Sequence, residues 1–244
     1  MNDDLFKPLN NPSVAVTGIG PGRRHLTSVA LVAVLTASAV AVETGMFGPG
    51  SIDWRAVVNV HLFVLRHPAV ADVSRVVTGF GSPWIVDAIA ALAAIMLWWR
   101  GRAGDALFVA AVRVITLLTD VVLKESIRRP RPVLPHPLAH AHSFSFPSGH
   151  SSGAASVYLP LAVVLVSLLH GLPSRVVVAA ASLLCLAVAA SRVSLGLHYP
   201  SDVVAGVALG ALVTCLLTPL RTWRAPPPRG HGRGSQPTRP TSSA

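Results

Sequence analysis

Two histidines stand out in a chain otherwise poor in reactive side chains. His150 closes the run PSGH at 147–150, and His198 lies in SRVSLGLHYPSD with a carboxylate, Asp202, four positions later. A carboxylate at that spacing can hold one ring nitrogen of His198 as a donor and leave the other with its lone pair, the setting of a nucleophile. His150 is then the expected proton donor to a leaving oxygen. Three cations accompany them: Lys124 and Arg131 in KESIRRPRP, and Arg192 just ahead of His198. Ser148 and Gly149 stand where an apolar helix is expected to begin. Free N–H groups and the positive end of the helix dipole attract anions there, and Gly149 has no side chain in the way. Cations of this kind at a helix mouth suit the non-bridging oxygens of a phosphoryl group, so phosphoryl transfer is the chemistry indicated. Each stretch alone has a plainer explanation: a helix cap, a topogenic basic loop, a surface salt-bridge cluster. It is their combination that favours chemistry.

The elements that must position these residues are membrane helices. The chain is 52% hydrophobic and 12% charged, with a mean hydropathy of +0.58, far from the composition of a soluble domain. Segments of about 20 mostly apolar residues are long enough to span a bilayer. Six qualify or nearly so: Leu26–Val42, Pro83–Trp99, Ala103–Ile127, Gly149–Leu169, Pro173–Ser191 and Pro200–Leu220. The expected fold is therefore an all-α polytopic bundle of six transmembrane helices, with a tail over 1–25, a core over 26–220 and a basic disordered tail over 221–244. Residues 45–82 group apolar and polar positions by twos to fours, which predicts one or two amphipathic helices in the interface or an ordinary loop. The charges inside spans, Asp87, Arg113 and Asp120, must face the bundle or water. The simplest expectation is that Asp87 or Asp120 pairs with Arg113. Cys185 and Cys215 lie in apolar runs and behave as small hydrophobes, so neither a disulfide framework nor a zinc site is expected.

The net charge of +10 sits mainly in tails and loops, which suits an anionic membrane surface better than nucleic acid. With both termini cytoplasmic, the inside collects Lys7, Arg23, Arg24, Arg100, Arg102, Arg175 and the arginines after 220, while the outside receives Arg55, Arg66, Arg75, Lys124, Arg128, Arg129, Arg131 and Arg192. The positive-inside bias then places the active-site loops on the extracytoplasmic side of the plasma membrane. Two crossings separate the loop after the third span from the loop after the fifth, so both share one face in either orientation.

The three stretches together, Lys124–Arg131–Pro132, Pro147–Ser148–Gly149–His150 and Ser191–Arg192–His198–Asp202, resemble the signature motifs of the type 2 phosphatidic acid phosphatase (PAP2) superfamily, the membrane lipid phosphate phosphatases related to vanadium haloperoxidases. Every signature position is filled. The resemblance implies a haloperoxidase-like helical core and a metal-independent reaction without cofactor. It implies a phosphohistidine at His198 supported by Asp202, with His150 serving the leaving group and then the attacking water. Lys124, Arg131, Ser148, Gly149 and Arg192 would hold the phosphate. The expected partners are a lipid phosphate and the bilayer itself. Undecaprenyl pyrophosphate is slightly favoured as substrate over phosphatidic acid and phosphatidylglycerophosphate.

Other functions stay open at this point. A transporter or flippase would use Asp87, Arg113 and Asp120 as a pathway and tolerate loss of His198. A vanadate-dependent halide oxidase would be activated by vanadate, and a lipid phosphotransferase would replace water by an acceptor alcohol. His136, His140 and His142 invite a metal site, but their prolines and irregular spacing favour a loop. Gly206 and Gly210 form a small-xxx-small pair expected to pack helices internally, with pairing of two protomers as the alternative. The oligomeric state is not readable from the sequence.

Overall fold

The computed structural model describes residues 21–46, 48, 50–169 and 173–222. The tails expected over 1–25 and 221–244 therefore lie, apart from their innermost residues, outside the described residues. Among the described residues eight α-helices follow one another: α1 (Pro21–Glu43), α2 (Ile52–Arg66), α3 (Pro68–Gly79), α4 (Pro83–Trp99), α5 (Ala103–Ile127), α6 (Gly149–Leu168), α7 (Ser174–Ser194) and α8 (Pro200–Leu217), followed by a 3-10 turn at Thr218–Thr222. Six stretches are long and apolar enough to cross a membrane, and there are no strands among the described residues.

Helix boundaries follow ordinary local signals. Proline occupies the first turn of α3, α4 and α8, where its fixed φ costs nothing and its missing N–H is not needed. Ser51 caps α2 by accepting from the Trp54 N–H at 3.2 Å. At its far end α5 stops where Arg128 turns left-handed at φ 48°.

The expected spans are close to those observed, with one difference. The second apolar stretch runs over 32 residues, Pro68–Trp99, and is broken into α3 and α4 by the turn at 80–82. At this turn Gly81 packs against the site: a Cβ there would lie 2.4 Å from Val188 Cγ1 and 2.9 Å from the His150 carbonyl. Residues 45–82 form two helices, α2 and α3. The buried positions of α2 are Asp53, Val57, His61 and Val64, one helical stripe, which packs against α7 and α8.

The core lies between α4, α5, α6 and α8, where Val86, Phe108, Val109, Val112, Val157 and Leu209 are buried together. A second cluster joins α2 to the site end of the bundle through Val57, Ala189, Val193, Tyr199 and Val203. Gly206 and Gly210 pack inside the protomer, α8 against α6. A Cβ on Gly206 would sit 2.6 Å from the Ser148 carbonyl, and one on Gly210 would sit 2.6 Å from Ala155 Cβ. Gly206→Ala is therefore expected to lower stability by about 1–3 kcal/mol through overpacking. Thermal unfolding in detergent measures this, and an unchanged Tm would contradict so close a crossing.

Of the intramembrane charges, Asp87 pairs with Arg113 at 2.6 Å. Asp120 instead pairs with Lys124 at 2.7 Å, one helical turn on. Its other oxygen accepts from Ser152 Oγ at 2.9 Å. Arg221, the first residue of the expected tail, donates Nε to the buried Asp105 at 2.7 Å and helps to neutralise it.

Candidate active site

The end of α5, the start of α6, the end of α7 and the start of α8 converge on one cleft of ≈ 300 Å³. Its lining includes Lys124, Arg131, Gly149, His150, Arg192 and His198, together with Arg113 and Asp120. Residues far apart in sequence meet here because these helices deliver their site ends to the same face of the bundle.

His198 is 1% exposed. Arg131 Nη1 lies 3.0 Å from its Nε2. A guanidinium can only donate, so Nε2 carries the lone pair and the ring proton sits on Nδ1. Nδ1 faces Asp202 Oδ2 at 3.5 Å and Ser145 Oγ at 3.5 Å. Burial pushes the His198 pKa down to about 4; Asp202 opposes this, and the Arg131 and Arg192 charges add to it. The imidazole is therefore neutral near pH 7, with its lone pair toward the cations.

Asp202 is fully buried and held on both oxygens. Oδ2 accepts from Ser145 Oγ at 2.5 Å and from the Tyr199 N–H at 3.0 Å, the latter as an N3 carboxylate capping α8. Oδ1 accepts from Arg129 Nη1 at 2.5 Å. Arg129 continues to Asp53 Oδ2 at 2.7 Å and lies over the Tyr199 ring, 3.9 Å from its centroid. Asp53 also accepts from Ser201 N–H at 3.0 Å and Ser201 Oγ at 2.6 Å. This network ties α2, α8 and the loop after α5 into one buried unit.

Among the expected anion ligands, Arg192 donates Nη1 to Thr78 Oγ1 at 2.9 Å, while its buried Nε has no hydrogen-bond partner among the described residues. Lys124 Nζ binds Asp120 and the Pro147 carbonyl. Arg131 braces both loops, donating Nε to Ser143 O at 2.7 Å and Nη1 to Leu197 O at 2.7 Å. Burial lowers its pKa, with Asp202 opposing, but a guanidinium remains charged at neutral pH. Gly149 lines the cleft, and a Cβ on it would stand 3.3 Å from Asp120 Oδ2 and 3.6 Å from Lys124 Nζ. Ser148 is different. It is fully buried behind the cleft, its N–H donating to the Asp202 carbonyl at 3.0 Å and its Oγ accepting from Ser151 at 3.0 Å. Its place is to join the PSGH turn to α8. The α6 N–H groups left without helical acceptors, Gly149, His150 and Ser151, remain the donors at the helix mouth.

Sequence reasoning missed Asp53, Arg129, Ser145, Ser201 and Thr78. Arg129 carried a faint signal, since it stands two positions before Arg131 with a proline between. Asp53 carried none beyond its place in the first turn of a helix, where an acid is ordinary. His136, His140 and His142 lie in the loop between α5 and α6; among the described residues no group of three His, Cys, Asp or Glu side chains is close enough to hold a metal ion.

Comparison with known proteins agrees with this geometry. The sequence model of the PAP2 superfamily matches residues 103–226. The chain is 38% identical over 157 residues to phosphatidylglycerophosphatase B of Bacillus subtilis, covering 63% of this chain and 76% of that protein. It is 33% identical over 166 residues to the decaprenylphosphoryl-5-phosphoribose phosphatase of Mycobacterium tuberculosis, covering 66% and 85%. The crystal structure of the transmembrane PAP2-type phosphatidylglycerolphosphate phosphatase from Bacillus subtilis superposes with a TM-score of 0.70 at 34% identity, over 78% of this chain and 94% of that one. With the three motifs gathered on one cleft and matched relatives of this length, the chain belongs to the PAP2 superfamily.

Proposed function

We propose that the protein is a membrane phosphatase that hydrolyses a lipid phosphomonoester or a polyprenyl pyrophosphate through a phosphohistidine. The observation that carries this is the setting of His198: Nδ1 faces Asp202 at 3.5 Å, and Nε2 lies 3.0 Å from Arg131 at the wall of a cationic cleft. Nε2 attacks phosphorus, the N–P bond forms, and the bond to the lipid oxygen breaks as His150 gives that oxygen a proton. Water then attacks the phosphohistidine while His150 takes its proton, the N–P bond breaks, and inorganic phosphate leaves with His198 restored. Asp202 steadies the imidazolium that forms in between. Lys124, Arg131, Arg192 and the α6 mouth neutralise the phosphoryl oxygens, the task a divalent ion performs in other phosphoryl-transfer sites. Ser148 holds Gly149 and His150 in place from behind.

The names of the relatives support a lipid phosphate as substrate. The cleft lies at one end of the spans, so a lipid tail stays in the bilayer while its phosphate reaches the cations. The positive-inside bias supports the extracytoplasmic face of the plasma membrane.

The test is phosphate release in detergent micelles with EDTA, from undecaprenyl pyrophosphate, phosphatidic acid and phosphatidylglycerophosphate. Release from at least one is expected. A folded protein that releases phosphate from none would defeat the proposal, and transfer to an alcohol in place of water would recast it as a phosphotransferase.

The pH dependence follows from the depressed His198 pKa. Only the neutral imidazole attacks, so the acid limb of kcat/KM set by His198 in the free enzyme is expected near pH 4 rather than at the ordinary histidine value of about 6.5. The linked stability has the same sign. Between pH 6.5 and 4 the unfolded chain binds a proton that folded His198 excludes, so this contribution is complete above 6.5 and is lost as pH falls toward 4. A His198 titration followed by NMR with its midpoint at the ordinary value would contradict the burial described.

A further inference from the structure

The end of the bundle away from the catalytic cleft carries a second cavity of ≈ 460 Å³. It opens where α1 and α7 begin and where α6 and α8 end. α1 packs along α8, and α7 packs on α6 and α8, so the cavity lies in the gap between α1 and α7. α1 is the least buried of the six spans, and Val178 in the opposite wall is 44% exposed. The gap is open, not sealed.

Its lining is sorted by chemistry. Val163, Val166 and Val178 form an apolar wall, while Arg24 stands in the first turn of α1 and Ser174 and Arg175 open α7. Thr27, Thr214 and Thr218 also line the cavity, but each hydroxyl already donates to the carbonyl four residues before it, at 2.8–2.9 Å. The charged and hydroxyl donors left for a ligand are the two guanidiniums and Ser174, none with a side-chain partner among the described residues. Arginines held at this end for packing are treated differently: Arg102 and Arg221 share the buried Asp105. Arg24 and Arg175 are thus two cations on one apolar cavity without a counter-ion among the described residues, and they repel each other until an anion stands between them.

We propose that this cavity binds an anionic glycerophospholipid of the leaflet opposite the catalytic cleft, its phosphate between Arg24 and Arg175 and its acyl chain along the valine wall. In a bilayer any apolar gap fills with lipid chains, so the charge at the mouth decides which lipid stays. A zwitterionic headgroup brings a cation of its own to the two arginines, and free phosphate leaves the valines uncovered. A lipid with a net negative headgroup satisfies both parts, as basic pockets between spans do on the cytoplasmic side of membranes, the side that the positive-inside bias assigns to this end. The bound lipid touches α1 and α7 together, so it holds the least buried span against the bundle. The site lies at the far end of the spans from His198, and its occupancy does not depend on turnover.

The test is thermal unfolding of the full chain in a neutral detergent, titrated with phosphatidylglycerol or with phosphatidylcholine. Wild type, Arg24→Gln/Arg175→Gln and Val178→Phe are compared. The Tm of wild type is expected to rise and saturate with phosphatidylglycerol, and to rise less with phosphatidylcholine. In the arginine double variant the phosphatidylglycerol concentration that gives half of the rise is expected to increase roughly tenfold or more, while phosphate release stays within about twofold of wild type. Val178→Phe keeps both arginines and narrows the apolar part, so it is expected to weaken the same response. Arg175 and Val178 are exposed and Arg24 is half-buried, so these variants are expected to fold. Arginines beyond residue 222 are the same throughout the series, so lipid held by them cancels. Equal responses of wild type to the two lipids, or an unchanged response in the arginine variant, would overturn the proposal. Loss in the arginine variant with none in Val178→Phe would overturn it in favour of charge at the surface alone. No response to either lipid, from a protein whose mass in detergent is that of a dimer, would overturn it in favour of a second copy seated in the gap.

Discussion

His198→Ala will lower lipid phosphate turnover by roughly 10⁴-fold or more, the scale seen when a covalent nucleophile is removed, while the protein still folds. The expectation of folding has a structural reason. The hydrogen bonds that knit this end of the bundle run through Asp202, Arg129, Asp53 and Ser145, while His198 contributes two contacts of 3.5 Å at Nδ1 and one of 3.0 Å from Arg131, which keeps its bonds to Ser143 O and Leu197 O without it. Alanine leaves Asp202 with Arg129, Ser145 and the Tyr199 N–H, so its charge stays compensated. Steady-state kinetics in micelles, with thermal unfolding of the same samples, separates the two effects. A His198→Ala protein that retains more than a few per cent of turnover would show that another group attacks phosphorus. It would also bring the transporter reading forward if function in cells survived.

The largest structural effect is expected at Arg129. Its guanidinium stands between two buried carboxylates, Asp202 at 2.5 Å and Asp53 at 2.7 Å, with side-chain exposures of 0% and 4%. Removing one member of a buried ion network costs about 3–5 kcal/mol, because the partners keep their desolvation without compensation. Arg129→Met is therefore expected to lower stability by about that amount and to lose activity as Asp202 shifts away from Nδ1. Pairing it with Asp53→Leu removes one stranded charge, so the double variant is expected to be more stable than Arg129→Met alone. Non-additivity of that kind marks groups in direct contact. Denaturation of the single and double variants in detergent measures it. Simple additivity would mean that the two side chains do not share a network.

How much of this was legible in the sequence depends on whether the information is local. The spans were legible because apolar runs of bilayer length are local, and the motif residues because small, polar and basic residues at helix ends are out of place in such a chain. The Asp87–Arg113 pair was anticipated as one of two choices. The other choice, Asp120, went to Lys124, and that signal was present: an acid four positions before a base on one helix is a standard pair. The α3–α4 break was legible in its position, since Gly81 and Ser82 precede the apolar run that opens at Pro83, but the packing of Gly81 on Val188 and His150 was not, because those residues lie far along the chain. The position of Ser148 behind the cleft was hidden for the same reason, since its N–H is taken by Asp202. Asp53 is the clearest case. It sits before the matched family region and reaches the site only through Arg129 and Ser201, a contact between segments that no spacing rule connects.

The central claim is that phosphorus becomes bonded to His198 Nε2. The most direct measurement is an alkaline quench of the enzyme turning over a lipid labelled with ³²P in its terminal phosphate, followed by peptide mapping. A phosphoramidate survives base and is lost in acid, so the account predicts acid-labile, base-stable label on the peptide that contains His198, and none in His198→Ala. Label on another residue, or no covalent label from an enzyme that turns over rapidly, would contradict it and point to direct attack by water.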